Sequence, residues 1–303
     1  MEGPAKLRVL VNPSAGRGAG AKHLDRIRIF ASRLEAGLVV SRRPIDLVEG
    51  ARAAVRDGIE RLLVFGGDGT MHLAAQGLAG SETALGVIPL GTGNDLARAL
   101  GVPKKMERAI EVATRAPVRR IDLVRVGDLC CIGYAGVGFD SEVAGFANRI
   151  KKLRGPLVYV YALVRTLISF VPPAMRVVYD GGVFEGRVMF TVANNLPSFG
   201  GGMRIAPEAV IDDGLLDLVI VREIPKLTLL RIFPKVYSGR HVGHPACLAV
   251  QTRRVEITLD REMTLFGGGE PVLPMAPGVS VCIEVVPGAL AVVWPEARVQ
   301  PAG

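Results

Sequence analysis

Gly66-Gly67-Asp68-Gly69-Thr70 sets one carboxylate among three glycines. The apolar run Leu62-Leu63-Val64-Phe65 precedes it, and Met71, Ala74, Ala75 and Leu78 follow at helical spacing. That pattern predicts a buried strand, a glycine turn and a helix. Glycine permits positive φ and lets a ligand or another chain come close to the backbone. The first N–H groups of a helix suit an anion such as phosphate. A bare carboxylate there would repel phosphate, so Asp68 makes chemical sense if it holds Mg²⁺ or polarises a hydroxyl beside the phosphate. A tight turn with an aspartate helix cap is the plainer alternative and stays open on this stretch alone.

Two more turns of this kind follow apolar strands. Asn12-Pro13-Ser14-Ala15-Gly16 follows "LRVLV", and Gly91-Thr92-Gly93-Asn94-Asp95 follows "VIPL". Each offers N–H groups, small side chains and one hydroxyl, from Ser14, Thr70 or Thr92. At neighbouring strand ends the three would form a cradle for a nucleotide triphosphate. The chain has no G-x-x-x-x-G-K-[ST] loop, and no G-x-G-x-x-G opens a βαβ unit. "GRGAG" at Gly16–Gly20 is only a partial match.

Strands and helices alternate over the first 115 or so residues. In "KHLDRIRIFASRLEAG", Leu24, Ile27, Ala31 and Leu34 share one helical face. Such alternation predicts an α/β class and a doubly wound sheet whose ligand sits at the carboxyl ends of its strands. From Ile121 the pattern changes. "IDLVRVGDLCCIGYAGVG" reads as a hairpin with a Gly-Asp turn, and most later segments are short strands. Helical interruptions are expected near 141–171 and 225–239. The predicted division is an α/β domain over 1–118 and a β-rich domain over 119–288, with a strand near 289–303 returning to the first.

With 303 residues, 49% of them hydrophobic, the chain can bury two cores. The best candidate for a membrane span, residues 156–175, is interrupted by Arg165 and ended by Pro172-Pro173. No signal-peptide pattern opens the chain. Cys130 and Cys131 are adjacent while Cys247 and Cys282 stand alone, which matches neither zinc spacing nor a disulfide framework. A reduced, cytoplasmic protein is expected. The net charge of +8 favours an anionic partner, and the basic stretch Asn148–Gly155 beside an apolar run suggests a membrane surface.

N-P-x-[SA]-G, G-G-D-G-T and P-x-G-T-x-N-D-x-A-R, in this order and spacing, resemble the diacylglycerol kinase catalytic-domain family, which includes soluble bacterial lipid kinases and sphingosine and ceramide kinases. Asn194-Asn195, Gly200-Gly201-Gly202 and "IAPEAVIDDGLLDLVIV" resemble its lipid-domain segments. The resemblance covers nearly the whole chain. It implies an ATP-binding N-terminal domain, a β-rich lipid-binding C-terminal domain, an active site in the cleft between them, and transfer of the γ-phosphate of ATP to a hydroxyl of diacylglycerol or a related lipid. Asn12, Pro13, Ser14, Ala15, Gly16, Ser41, Gly66, Gly67, Asp68, Gly69, Thr70 and Thr92 would line the nucleotide. Asp68 would order Mg²⁺–ATP, and Glu270 would be the catalytic base. Asp213, with carbonyls of Val210 and Leu215, would hold a structural Mg²⁺. Asn94 and Asp95 are expected to shape the third turn, with Asn94 as N-cap of the helix after it. A lipid at the membrane surface is the implied partner, nucleic acid is not, and a homodimer is an open assembly. The chain departs from the family at Met71-His72-Leu73, where x-Asn-Glu is usual, and at Gly268, where Asp-Gly-Glu is usual. His72 is expected to be a surface or cap residue. These departures keep a catalytically weak lipid-binding homologue in view. A related NAD or sugar kinase is a further alternative.

Overall fold

The computed structural model describes residues 6–139, 142, 143, 146, 161, 165–167 and 169–295. The basic stretch at 148–155 and most of the helical interruption expected at 141–171 lie outside the described residues. The chain divides into two compact units, Met1–Leu123 with Pro287–Gly303, and Val124–Val286.

In the first unit, β1 (Leu7–Val11), β2 (Gly37–Val40), β3 (Arg61–Gly66) and β4 (Ala84–Pro89) are parallel, in the order β2-β1-β3-β4. Leu62, Leu63, Val64 and Phe65 are fully buried, as helices on both faces require. The helices α1 (Ala15–Lys22), α2 (Leu24–Arg33), α3 (Ile45–Arg56), α4 (Asp68–Leu78), α5 (Asp95–Ala99) and α6 (Met106–Arg115) connect or follow these strands. Ile27 and Ala31 of α2 are buried as their spacing predicts, whereas Leu34 lies just beyond the helix and is exposed. The segment of α1 was not foreseen as helix. The last strand, β15 (Ser280–Val293), returns to this unit and pairs in parallel with β4 at Val292 and Leu85. Asp122, in β5 (Val118–Val126), fixes that return: its Oδ1 accepts the Gly288 N–H at 2.7 Å.

The second unit is mostly antiparallel. β5 and β6 (Leu129–Cys131) form the expected hairpin, with Val126 opposite Leu129 across Gly127-Asp128. β7 (Tyr134–Gly138), β8 (Ala174–Tyr179) and β9 (Gly182–Asn194) follow. β9 serves two sheets: its first half pairs with β8, and its second half with β7 and with β10 (Leu216–Arg222). β11 (Cys247–Thr252) extends β10, and β12 (Arg254–Leu259) joins β8 to β15. β13 (Met263–Gly267) pairs with β7 and β14 (Glu270–Met275). A short helix, α7 (Lys226–Ile232), and 3₁₀ turns over 233–238 and 240–243 occupy the second helical interruption. Among the described residues no helix is long and apolar enough to cross a membrane.

His72 is a correction to the sequence reading. It lies inside α4, 2% exposed, with Nε2 3.0 Å from Gln76 Nε2 one turn on. Burial penalises the imidazolium, and the pKa falls from 6.5 to about 4. Between those values the unfolded chain binds a proton that the folded protein refuses. The stability held above pH 6.5 is therefore lost as the pH falls toward 4. From about pH 8 to about pH 5 this group costs about 2 kcal/mol. Urea unfolding at the two pH values should show that loss, and His72→Gln should remove most of it. An equal loss in the variant would assign the acid sensitivity to other groups.

Candidate functional site

The order in which strands are added to the first sheet reverses between β1 and β3, which is where open α/β sheets bind ligands beyond their carboxyl strand ends. Asn12 spans that point. Its Nδ2 donates to Thr70 Oγ1 at 2.9 Å, while its Oδ1 accepts the Ser14 N–H at 3.0 Å. The first turn is thereby tied to the second. Ser14 is right-handed (φ −80°), whereas Gly16, Arg17 and Gly18 are left-handed (φ 59°, 59° and 92°). A change from right- to left-handed backbone is the geometry of an anion-binding nest. Arg17 adopts it without being glycine, a strain concentrated at functional turns. Ser41 closes this side: it is buried, and its hydroxyl donates to the Val11 carbonyl at 3.2 Å. After it, Asp46 accepts the N–H groups of Arg42 and Arg43, which hold its carboxyl below the ordinary range.

The second and third turns touch backbone to backbone. A Cβ on Gly91 would lie 2.7 Å from Gly67 Cα, and one on Gly16 would lie 1.9 Å from the Leu90 carbonyl oxygen. Gly67 opens α4 in extended conformation, and no side chain caps that helix. Its first-turn N–H groups therefore lack a capping acceptor, the state in which a helix N-terminus takes a phosphate. Of the three hydroxyls, Thr70 is buried and engaged by Asn12, while Ser14 and Thr92 are exposed.

Asn94 was expected to cap α5 and does not. It sits at φ 52° and closes its own turn, its Oδ1 accepting the Gly91 N–H at 3.0 Å and its Nδ2 donating to the Gly91 carbonyl at 2.7 Å. The cap comes from Asp68, whose Oδ1 accepts the Asp95 N–H at 2.6 Å and the Leu96 N–H at 3.4 Å. Asp68 is thus both the carboxylate of the glycine turn and the acceptor that seats the third turn. Burial raises its pKa first, and the charge of Asp95 raises it further. Asp95 is 6% exposed and pairs with Arg98, which also donates to the Gly93 carbonyl at 2.7 Å. Two partly desolvated carboxylates side by side are a donor set suited to a divalent cation. The sequence reading assigned Asp95 to turn shape alone. The signal for more was Asp-x-x-Arg, a pair placed to meet on one helical face.

In the second unit, Gly268 and Gly269 join β13 to β14 with φ of 59° and 90°, and Gly267 pairs with Glu270 across them. A two-residue hairpin loop with positive φ at both positions has the geometry of a type I′ turn, which accepts Gly-Gly as well as Asp-Gly. The Gly268 N–H donates to the Tyr134 carbonyl at 3.1 Å, and the Tyr134 ring stacks on Phe199 at 3.8 Å. Glu270 is thus the first residue of β14, on an anchored turn. Its surface is exposed, yet the protein on one side partly desolvates its carboxyl and shifts the pKa upward. Val210, Asp213 and Leu215 lie together before β10. Asp213 Oδ1 accepts the Leu215 N–H at 3.0 Å, and Gly214 turns at φ 74°. Asp217 nearby is pushed up to about 6 by burial, then by the charges of Asp213 and Glu208. Among the described residues no three His, Cys, Asp or Glu side chains cluster as a metal site.

Residues 6–126 match the diacylglycerol kinase catalytic domain, and residues 133–294 match the YegS C-terminal NAD kinase beta sandwich-like domain. A diacylglycerol kinase from Mycobacterium tuberculosis is 33% identical over 300 residues, which covers 96% of this chain and 95% of that protein. One from Bacillus subtilis is 29% identical over 271 residues, covering 88% and 89%. A diacylglycerol kinase structure from Bacillus anthracis superposes with a TM-score of 0.74 at 20% identity, covering 99% of this chain and 100% of that one. Yeast NADH kinase superposes at 0.56 with 10% identity, covering 98% and 85%. The two structural likenesses show a shared fold.

The contact between turns makes Gly91 a sensitive position. Gly91→Ala should destabilise the first unit by about 1–3 kcal/mol, the cost of forcing an extra methyl into packed atoms. Gly37→Ala, whose Cβ would meet only Arg8 Nε at 3.7 Å, should stay within about 0.5 kcal/mol of wild type. Denaturant titrations of both variants check this, and equal stabilities would show that the two turns part without cost.

Proposed function

Because the chain belongs to the diacylglycerol kinase family and is a lipid kinase, we propose that its first unit binds ATP with Mg²⁺ and that the γ-phosphoryl group passes to a hydroxyl of diacylglycerol or a related lipid. The observation that carries this reading is the bond from Asp68 to the Asp95 N–H, which makes one carboxylate part of two glycine turns at once. Phosphoryl transfer asks mainly for positioning and charge stabilisation. In this reading the left-handed turn at Gly16–Gly18 and the uncapped start of α4 bind phosphate oxygens through N–H groups. Asn12, Pro13, Ser14, Ala15, Ser41, Gly66, Gly67, Gly69, Thr70 and Thr92 line the nucleotide. Asp68 and Asp95 hold the cation, which when bound neutralises charge on the phosphoryl oxygens.

Glu270 is the proposed base for the acceptor hydroxyl. A carboxylate bound to a metal is a poor base, so the proton calls for a second one. Partial desolvation raises the Glu270 pKa, which makes its carboxylate a stronger base. Asp213, with the carbonyls of Val210 and Leu215, is the proposed structural Mg²⁺ loop. The crowding of Asp217 by Asp213 and Glu208 supports a cation there. The acceptor is a lipid met at a membrane surface.

Asp68→Asn should lower phosphorylation of a soluble short-chain diacylglycerol at least about a hundredfold, the usual cost of losing charge at a transition state. The amide still accepts the Asp95 N–H, so thermal unfolding should move little. More than about a tenth of wild-type turnover would remove Asp68 from the chemistry.

Glu270→Gln should lower kcat by roughly a hundredfold or more with nucleotide affinity unchanged. Gly268→Asp, which the positive φ admits, should keep or raise activity. Steady-state kinetics of both variants decide this, and a Glu270→Gln enzyme with wild-type kcat would place the base elsewhere.

A further inference from the structure

The outward face of α7 has an apolar centre between two cations. At about 100° per residue, Lys226, Leu230, Leu227 and Arg231 fall in that order around one side of the helix, and all four are exposed. Leu229, on the other side, is buried. Leu227 is 70% exposed and Leu230 43%. Apolar surface continues beside them. Phe170, Pro172, Ile224 and Pro225 line a cavity of about 390 Å³ that Lys226 and Glu223 also border, Glu223 being paired with Arg187 at 3.3 Å, and Val171, between Phe170 and Pro172, is 52% exposed. The chain has no carboxylate between Glu223 and Glu256, while Lys235 and Arg240 add positive charge after the helix. Among the described residues no carboxylate pairs with Arg231, Lys235 or Arg240.

Exposed leucines at helical spacing, flanked by long cationic side chains, suit one kind of partner. An interfacial helix buries its apolar side at the headgroup boundary while lysine and arginine reach anionic headgroups. A protein partner would ordinarily offer acids to some of these cations, but an anionic leaflet matches the whole acid-free stretch. We propose that α7, with Val171 beside it and Lys235 after it, is a docking surface for an anionic lipid bilayer, by which this lipid kinase reaches its substrate. The proposal rests on the lipid-kinase reading for its purpose, but not for its physical argument. It is separate from the basic stretch at 148–155.

The full chain is floated with vesicles of phosphatidylglycerol and phosphatidylcholine in equal parts, and with phosphatidylcholine alone. Wild type should bind the anionic vesicles and not the neutral ones. Leu227→Ser with Leu230→Ser should weaken that binding about tenfold or more. Arg231→Gln with Lys235→Gln, which leaves the buried side of the helix intact, should weaken it comparably and reduce its salt dependence. Both double variants should phosphorylate a soluble short-chain diacylglycerol at the wild-type rate. If either double variant binds anionic vesicles like wild type, or if wild type binds neither vesicle, the surface is wrong. If wild type binds anionic vesicles through these residues but phosphorylates no diacylglycerol, the kinase reading fails and the docking surface stands.

Discussion

The first unit is organised around the approach of two main chains, at Gly67 and Gly91, closer than any side chain would allow. The helix starts that follow β3 and β4 are thereby brought side by side. A carboxylate on one can then cap the other, and Asp68 does so for α5. Asn12 extends the same arrangement to the end of β1 through Thr70. Three strand ends become one surface of N–H groups, held by two side-chain bridges and a backbone contact. The glycines are needed for this packing before any ligand arrives, so their function is first architectural.

The electrostatics follow from that packing. Bringing the turns together half-buries Asp68 beside Asp95, and both that partial burial and like charge resist ionisation of Asp68. Arg98 answers part of the charge at Asp95, and N–H groups answer part at Asp68. What remains is negative potential at the edge of a surface otherwise rich in donors. ATP alone would meet the carboxylates as repulsion. In the proposed reading, ATP with a divalent cation would satisfy donors and carboxylates together, which makes the metal complex a better match than the nucleotide alone.

Much of the first unit was legible because its signals are local. Fully apolar runs marked β3 and β4, glycine turns marked their ends, and helical spacing marked α2 and α4. What the residues alone could not give depended on distant contacts. Nothing near Asp68 in sequence says that its partner is a backbone N–H 27 positions on. His72 read as a surface residue because its burial is decided by packing around α4, and the alternation of α4 is too weak to assign sides. Asp122 was visible as a carboxylate inside an apolar strand, but its partner is the N–H of Gly288, 166 residues away. The roles of Ser41 and Glu270 came from resemblance: Ser41 carries no local motif, and Glu270 carries only the altered tripeptide Gly268-Gly269-Glu270. The geometry leaves Ser41 bonded to Val11 and Glu270 at the foot of a hairpin.

The departures from the family pattern weigh differently once their positions are known. Gly268 replaces an aspartate in a turn whose geometry asks for positive φ, and glycine meets that demand with less strain than any other residue. The turn that carries Glu270 is therefore preserved, and only one acidic group is absent from it. His72 is buried and neutral near pH 7, and Leu73 is half-buried, so neither adds charge beside Asp68. In the proposed reading, both departures alter what supports the reacting groups rather than the groups themselves. Asp68, Asp95 and Glu270, the carboxylates that phosphoryl transfer would use, are all present.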